Sequence, residues 1–251
     1  MNKENDWTSD TERQRAIHQL KRDLVLGCHL LAMDGQGSGI AGHFTARLPG
    51  ENTFWTYQWH QAFEEVTYDD IIEADFSLET VTGQGRVNPT LHIHTTIYEA
   101  RQDVCCIVHT HGENAVAIGV TGNTIEPVWQ PGAIFYDNCV LFDEFDGVVL
   151  DRDEGERIAG ALGDKSAVLL RNHGMLIASE SVRMGCISAL TLESVAGMQL
   201  KAMAAGEMHP MPREAALQAK RFLTSEDVTN GRWAYLARKV MRARPDLEIP
   251  E

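Results

Sequence analysis

The chain has 251 residues, of which 43% are apolar, 23% charged and 7% aromatic, the make-up of an ordinary globular protein. A chain of this length buries roughly 70–75% of its unfolded surface, so it needs neither a disulfide nor a structural metal to fold. Acidic side chains number 36 against 22 Lys and Arg, and the resulting net charge of −14 repels phosphate backbones and anionic lipid heads, which excludes nucleic-acid and membrane-surface roles.

The opening MNKENDWTSDTERQR is polar and lacks the apolar core of a secretion signal, and no later run has the length of a membrane span, so a cytoplasmic location is expected. The cysteines (Cys28, Cys105, Cys106, Cys139, Cys186) are odd in number, form no CxxC and sit mostly in apolar segments, which predicts buried thiols. Ser9 and Glu12 form a capping-box pattern, and Ile17, Leu20, Leu24, Cys28 and Leu31 recur at helical spacing as far as Gly35. The glycines at 35, 37, 39 and 42 follow this helix and lead into the strand-like HFTARL. A dinucleotide fingerprint has the opposite order, so the cluster predicts a turn.

TFWTYQW, FEEV and ADFSLETVTG are expected to be strands of an antiparallel meander, with a short helical turn starting at Thr67. Asn88-Pro89 sets an N-cap beside a proline suited to a first helical turn, and LHIHTTIYEARQ continues as a helix to Asp103. VCCIVHTH is the next strand. SAVLLRNHGMLIAS predicts two strands joined in a hairpin at Arg171–Gly174, with Gly174 supplying a positive φ. Helices are predicted over 181–205 and, as a pair, over 212–244. Strands in the middle and helices at the ends predict one α+β domain over 1–251 with a mostly antiparallel sheet.

His109 and His111 stand two apart on a strand, so both rings project from one face, as two ligands of one metal ion must. The alternative is a pair of hydrogen-bonded histidines at a sheet edge. His173, in the predicted hairpin turn 62 residues after His111, is the best third ligand. Three imidazoles leave coordination positions open, which suits a catalytic metal rather than a structural one.

CIVHTHGENAVAI, the upstream IHTTIYEARQDV and the downstream LLRNHGMLI together resemble the class II aldolase/adducin family, in the family's order and over about residues 24–205. The resemblance implies a three-layer α/β/α fold around a large, mostly antiparallel sheet. It further implies a homotetramer with active sites at subunit interfaces, and a divalent metal, usually zinc, on His109, His111 and His173. Two departures stand out. The sugar-phosphate aldolases carry an acidic residue four positions before the histidine that matches His94, and here that position is Thr90, which neither exchanges a proton near neutral pH nor ligates a metal well. Their phosphate-binding positions here read Gly42-His43, Thr56-Tyr57 and Asn88-Pro89, which disfavours a phosphorylated sugar and brings the chain nearer the adducin-like branch.

A metal on three neutral histidines keeps its full charge and favours reactions through an enolate. Decarboxylation fits because loss of carbon dioxide needs no base to remove a proton. The expected function is therefore metal-dependent lyase action, by decarboxylation or retro-aldol cleavage, on a small non-phosphorylated oxo or hydroxy acid, with zinc, iron(II) or manganese as the metal. His94 and Tyr136 are the candidates for proton transfer, with Tyr235 as a second tyrosine, and His43, Asn88 and Trp233 are the candidates for substrate contact. Trp55, Trp59 and Trp129 also suit an aromatic substrate. The alternatives are a nonheme iron(II) oxygenase of an aromatic keto acid, which the resemblance also reaches, and a non-catalytic adducin-like interaction module.

Overall fold

The computed structural model describes residues 9–145, 147 and 152–250. Helix α1 (Asp10–Met33) starts where the Ser9 side chain accepts a hydrogen bond from the Glu12 amide, and it buries the predicted stripe of Ile17, Leu20, Leu24, Cys28 and Leu31. Strands β1 (His43–Ala46), β2 (Thr53–Tyr57), β3 (Ile71–Asp75) and β4 (Thr80–Thr82) form the antiparallel meander. Asn88 then accepts from the Thr90 amide, and a 3-10 turn at Pro89–Leu91 leads into α2 (His92–Ala100).

Strand β5 (Cys106–Thr110) and α3 (Glu113–Val120) follow, then β6 (Cys139–Phe142), α4 (Arg152–Leu162) and the hairpin of β7 (Ala167–Leu170) and β8 (Gly174–Ser179). Helices α5 (Val182–Ala205), α6 (Arg213–Leu223) and α7 (Glu226–Ala243) complete the order.

The eight strands make one sheet in the order β4-β3-β2-β1-β5-β8-β7-β6, antiparallel except for the parallel β6–β7 pair. Alternation along β5 sends Cys106 and Val108 into one apolar core, with Leu24, Leu192 and Trp233 from α1, α5 and α7. Ile107 goes into the other, with Ile97 and Ile158 from α2 and α4. Helices thus cover both faces, the expected three-layer arrangement. None of the helices is long and apolar enough to cross a membrane, among the residues described. All five cysteines are thiols, and Cys28, Cys106 and Cys186 are buried.

Several local expectations are corrected. FEEV is a 3-10 turn at Phe63–Glu65, and ADFSLETVTG is the β3–β4 hairpin, turned at Leu78 with φ 64°. The helix at 88–103 ends at Ala100, and His111 lies just past the end of β5. The φ>0 residue of the β7–β8 turn is Asn172, at 59°, and not Gly174. Helices α3 and α4 and strand β6 are additional to the elements that the sequence pattern predicts. In α4 the reason is visible: Gly155 sits where a Cβ would meet Thr96 Oγ1 at 2.9 Å and the His92 carbonyl at 3.0 Å, so a residue that argues against a helix is there to let α2 approach.

Candidate metal centre

The β1–β5 register sets His43 directly across from His109. On the other side of β5, the His109 Nδ1–H donates to the Met175 carbonyl of β8 at 2.9 Å, which leaves Nε2 as the free lone pair. His111 Nδ1 lies 2.7 Å from Ser38 Oγ in the glycine-rich loop. His173 comes from the β7–β8 turn, where its amide donates to the Leu170 carbonyl at 3.1 Å. The next residue has to be glycine, because a Cβ on Gly174 would stand 2.5 Å from the Thr110 carbonyl and 2.9 Å from the His111 ring.

The three rings stand with centroids 4.7 Å apart for His109–His111, 4.8 Å for His109–His173 and 5.1 Å for His111–His173. One ligand atom from each lies within 4.8 Å of the others, and no carboxylate or thiolate joins this set among the described residues. Burial holds all three imidazoles below the ordinary histidine range: His173 at about 4, His111 lowered, and His109 well below. For His173 and His109 the neighbouring rings add to the effect. Three neutral rings therefore present lone pairs to one point at neutral pH, and a divalent cation fits this donor set.

Behind this set lies a second polar layer. His43 Nε2 is 2.8 Å from Thr90 Oγ1 and 3.0 Å from Asn88 Nδ2, and the Thr90 hydroxyl donates to Asn88 Oδ1 at 2.8 Å. Burial, aided by His111 and His173, pushes His43 down to about 3. His94 is fully buried one step further in, its ring 5.6 Å from that of His43 and its Nδ1 2.8 Å from Thr45 Oγ1, which also bonds the Tyr98 hydroxyl.

All three candidate ligands open onto a cavity of about 670 Å³. Its lining also includes the polar His43, Asn88 and Thr90 and the apolar Ile40, Trp59, Ile93 and Phe145. No Lys or Arg lines it among the described residues.

His43, Asn88, His109, His111 and His173 are thus brought together, as is Trp59 of the tryptophans considered. His94 stands behind the wall rather than on it. Two candidates are placed elsewhere. Trp233 is 4% exposed in the α1–α7 packing, where its indole N–H donates to Asp23 Oδ1, so it presents no face to a substrate in this cavity. Tyr136 is half-buried at the end of the Gln130–Phe135 turn, where its carbonyl accepts from Lys220 Nζ, outside the cavity of its own chain. Ser38, Ile40 and Ile93 join the site without a motif of their own, the first two carried there by the glycine-rich loop.

Residues 22–200 match the family described as Class II Aldolase and Adducin N-terminal domain. The chain belongs to the class II aldolase/adducin family. Within it, the chain is 31% identical over 245 residues to "Decarboxylase NovR" of Streptomyces niveus, covering 96% of this chain and 91% of that one. It is also 31% identical over 241 residues to the "4-hydroxy-3-prenylphenylpyruvate oxygenase/4-hydroxy-3-prenylbenzoate synthase" of Streptomyces roseochromogenus subsp. oscitans, covering 95% and 87%. Among solved structures, the L-fuculose 1-phosphate aldolase from Glaciozyma antarctica PI12 superposes with a TM-score of 0.81 at 27% identity, covering 93% of this chain and 92% of that one. The class II aldolase fold predicted from the motifs is the fold observed.

Proposed function

We propose that this class II aldolase/adducin protein is a metal-dependent lyase that decarboxylates, or cleaves by a retro-aldol route, a small non-phosphorylated oxo or hydroxy acid with an apolar remainder. The observation that carries this reading is a set of three histidines, joined by no carboxylate among the described residues, in a cavity whose other described lining residues are apolar or uncharged at neutral pH. A divalent ion held by His109, His111 and His173 would draw electron density from a carbonyl or carboxylate oxygen placed beside it.

The chain's own groups narrow the chemistry. Thr90, hydrogen-bonded to Asn88 and His43, cannot remove a proton as a carboxylate does, and decarboxylation needs no such removal: the C–C bond to the carboxylate breaks, its electron pair stays on the substrate, and a proton is taken up afterwards. Asn88, Thr90 and His43 present hydrogen-bonding groups to the substrate's oxygens. Ile40, Trp59, Ile93 and Phe145 exclude water from its apolar end. Among the described residues no Lys or Arg lines the cavity, which counts against a phosphate group.

Relatives named as enzymes align over nearly the whole chain, which favours catalysis over an interaction module. Zinc, manganese or iron(II) are the metals in view, and the reading includes a homotetramer in which a neighbouring copy covers the open side of the cavity, where Ile40 and Phe145 are 49% and 51% exposed. The test is metal content per chain together with carbon dioxide release from oxo and hydroxy acids, before and after chelation and re-addition of each metal. Turnover that survives exhaustive metal removal would sink the proposal.

A second reading, an iron(II)-dependent oxygenase of an aromatic keto acid, has support in the name of the second relative. Oxygen separates the two. Carbon dioxide release under strict anaerobiosis favours the lyase, and oxygen uptake dependent on iron(II) and the keto acid favours the oxygenase.

A further inference from the structure

The loop between α1 and β1 holds the end of β5 from both sides. Successive strand residues point to opposite faces, so Thr110 points away from the cavity while His109 and His111 face it. On the far side, the Thr110 hydroxyl donates to Gln36 Oε1 at 2.8 Å. Gln36 is buried, and its amide nitrogen donates to Asp34 Oδ2 at 2.8 Å and to the Ala189 carbonyl at 3.3 Å, which anchors the loop base to α1 and α5. Two residues later the loop has crossed to the cavity side, where Ser38 Oγ lies 2.7 Å from His111 Nδ1. Ile40 and Ala41 then continue it as cavity wall.

An imidazole that gives its Nδ1 proton to an oxygen keeps its lone pair on Nε2, aimed the opposite way. His109 gets this orientation from the Met175 backbone carbonyl, which no side-chain change removes. For His111 the corresponding partner of Nδ1 is a single exposed hydroxyl, Ser38 Oγ at 2.7 Å. We propose that Ser38 is a positioning residue for the metal ligand His111: its hydroxyl accepts the Nδ1 proton and holds Nε2 toward the point shared with His109 and His173. This rests on the metal-centre reading above and extends it to a residue outside the ligand set.

The test uses the metal-stripped full chain and three proteins: unaltered, Ser38→Ala and Ser38→Thr. Zinc affinity is measured by competition with a chromophoric chelator, cobalt(II) absorption reports ligand geometry, and the thermal midpoint of the metal-free protein reports the fold. Ser38→Ala is expected to weaken zinc by about 10- to 100-fold and to alter the cobalt spectrum, with the metal-free midpoint unchanged because Ser38 is exposed. Ser38→Thr, which keeps the hydroxyl, is expected to restore both metal readouts. Zinc affinity in Ser38→Ala equal to that of the unaltered chain would overturn the proposal. So would an equal loss in Ala and Thr, or a metal-free midpoint that falls in step with affinity, since either would make Ser38 a support of the loop. If the unaltered chain binds neither zinc nor cobalt(II), the metal-centre reading itself has failed, a result distinct from all of these.

Discussion

The end of β5 and the β7–β8 turn each deliver histidines to one point, and they orient them by different means. At the end of β5 the rings themselves are held: His109 by the Met175 carbonyl and His111, just past the strand, by the Ser38 hydroxyl. In the turn, among the described residues, no hydrogen bond to the His173 ring is formed, and the backbone does the orienting. Asn172 takes a left-handed φ of 59°, the His173 amide closes onto Leu170, and Gly174 lies against the Thr110 carbonyl. The strand end is therefore expected to be sensitive to loss of ring partners, and the turn to an added Cβ.

The largest expected effect breaks the centre outright. His109→Ala removes the most buried of the three rings, and bound metal, measured by elemental analysis, is expected to fall to background along with activity, while circular dichroism keeps the native signature. Stoichiometric metal in this variant would show that the cluster is not the site.

Acid should act on the turn and on the strand that faces β5 together. His43 at about 3 and His173 at about 4 are held below the ordinary 6.5 by burial, so between those values the unfolded chain binds protons that the folded chain refuses. The stability that these two rings contribute to the metal-free protein is complete above about pH 6.5 and is lost as pH falls, toward about 4 for His173 and about 3 for His43, each with a slope of up to about 1.4 kcal/mol per pH unit. Urea unfolding between pH 7.5 and 4.5 measures this. A flat profile would mean that these rings are solvated.

Gly174→Ala sharpens the comparison. The added methyl is expected to cost about 1–3 kcal/mol in unfolding free energy and to weaken metal binding although all three histidines remain. Unchanged metal affinity would show that the close approach of turn and strand does not place His173. The smallest effect is expected from Thr90→Ala, which removes a partner of His43 and no member of the cluster, so metal content stays at the wild-type level while turnover falls. Loss of metal in that variant would make Thr90 part of the centre.

Much of this was legible along the chain because the signals are local. Ser9 and Asn88-Pro89 mark helix starts by side-chain chemistry that acts within three residues. The paired β7 and β8 runs and the two-residue spacing of His109 and His111 follow from backbone geometry alone. What was missed depends on partners far away in sequence. Helix α4 carries Gly155 because α2 packs there, and β6 finds its parallel partner β7 only across a long connection. Trp233 looked like a substrate contact until Asp23, 210 residues away, claimed its indole.

By itself, then, the sequence determined which residue types occur at which local spacing: a capped first helix, an apolar strand ending in His-Thr-His, a turn displaying His173, and a threonine at position 90. Periodicity and capping operate over one or two turns of chain, so they survive without the rest of the molecule. Only the tertiary structure decided that His173 meets the β5 pair, that His43 stands in register with His109, that Ser38 reaches His111, and that His94 lies behind the wall. Those are contacts between elements dozens of residues apart, set by how the sheet orders its strands and how both helical layers pack on it.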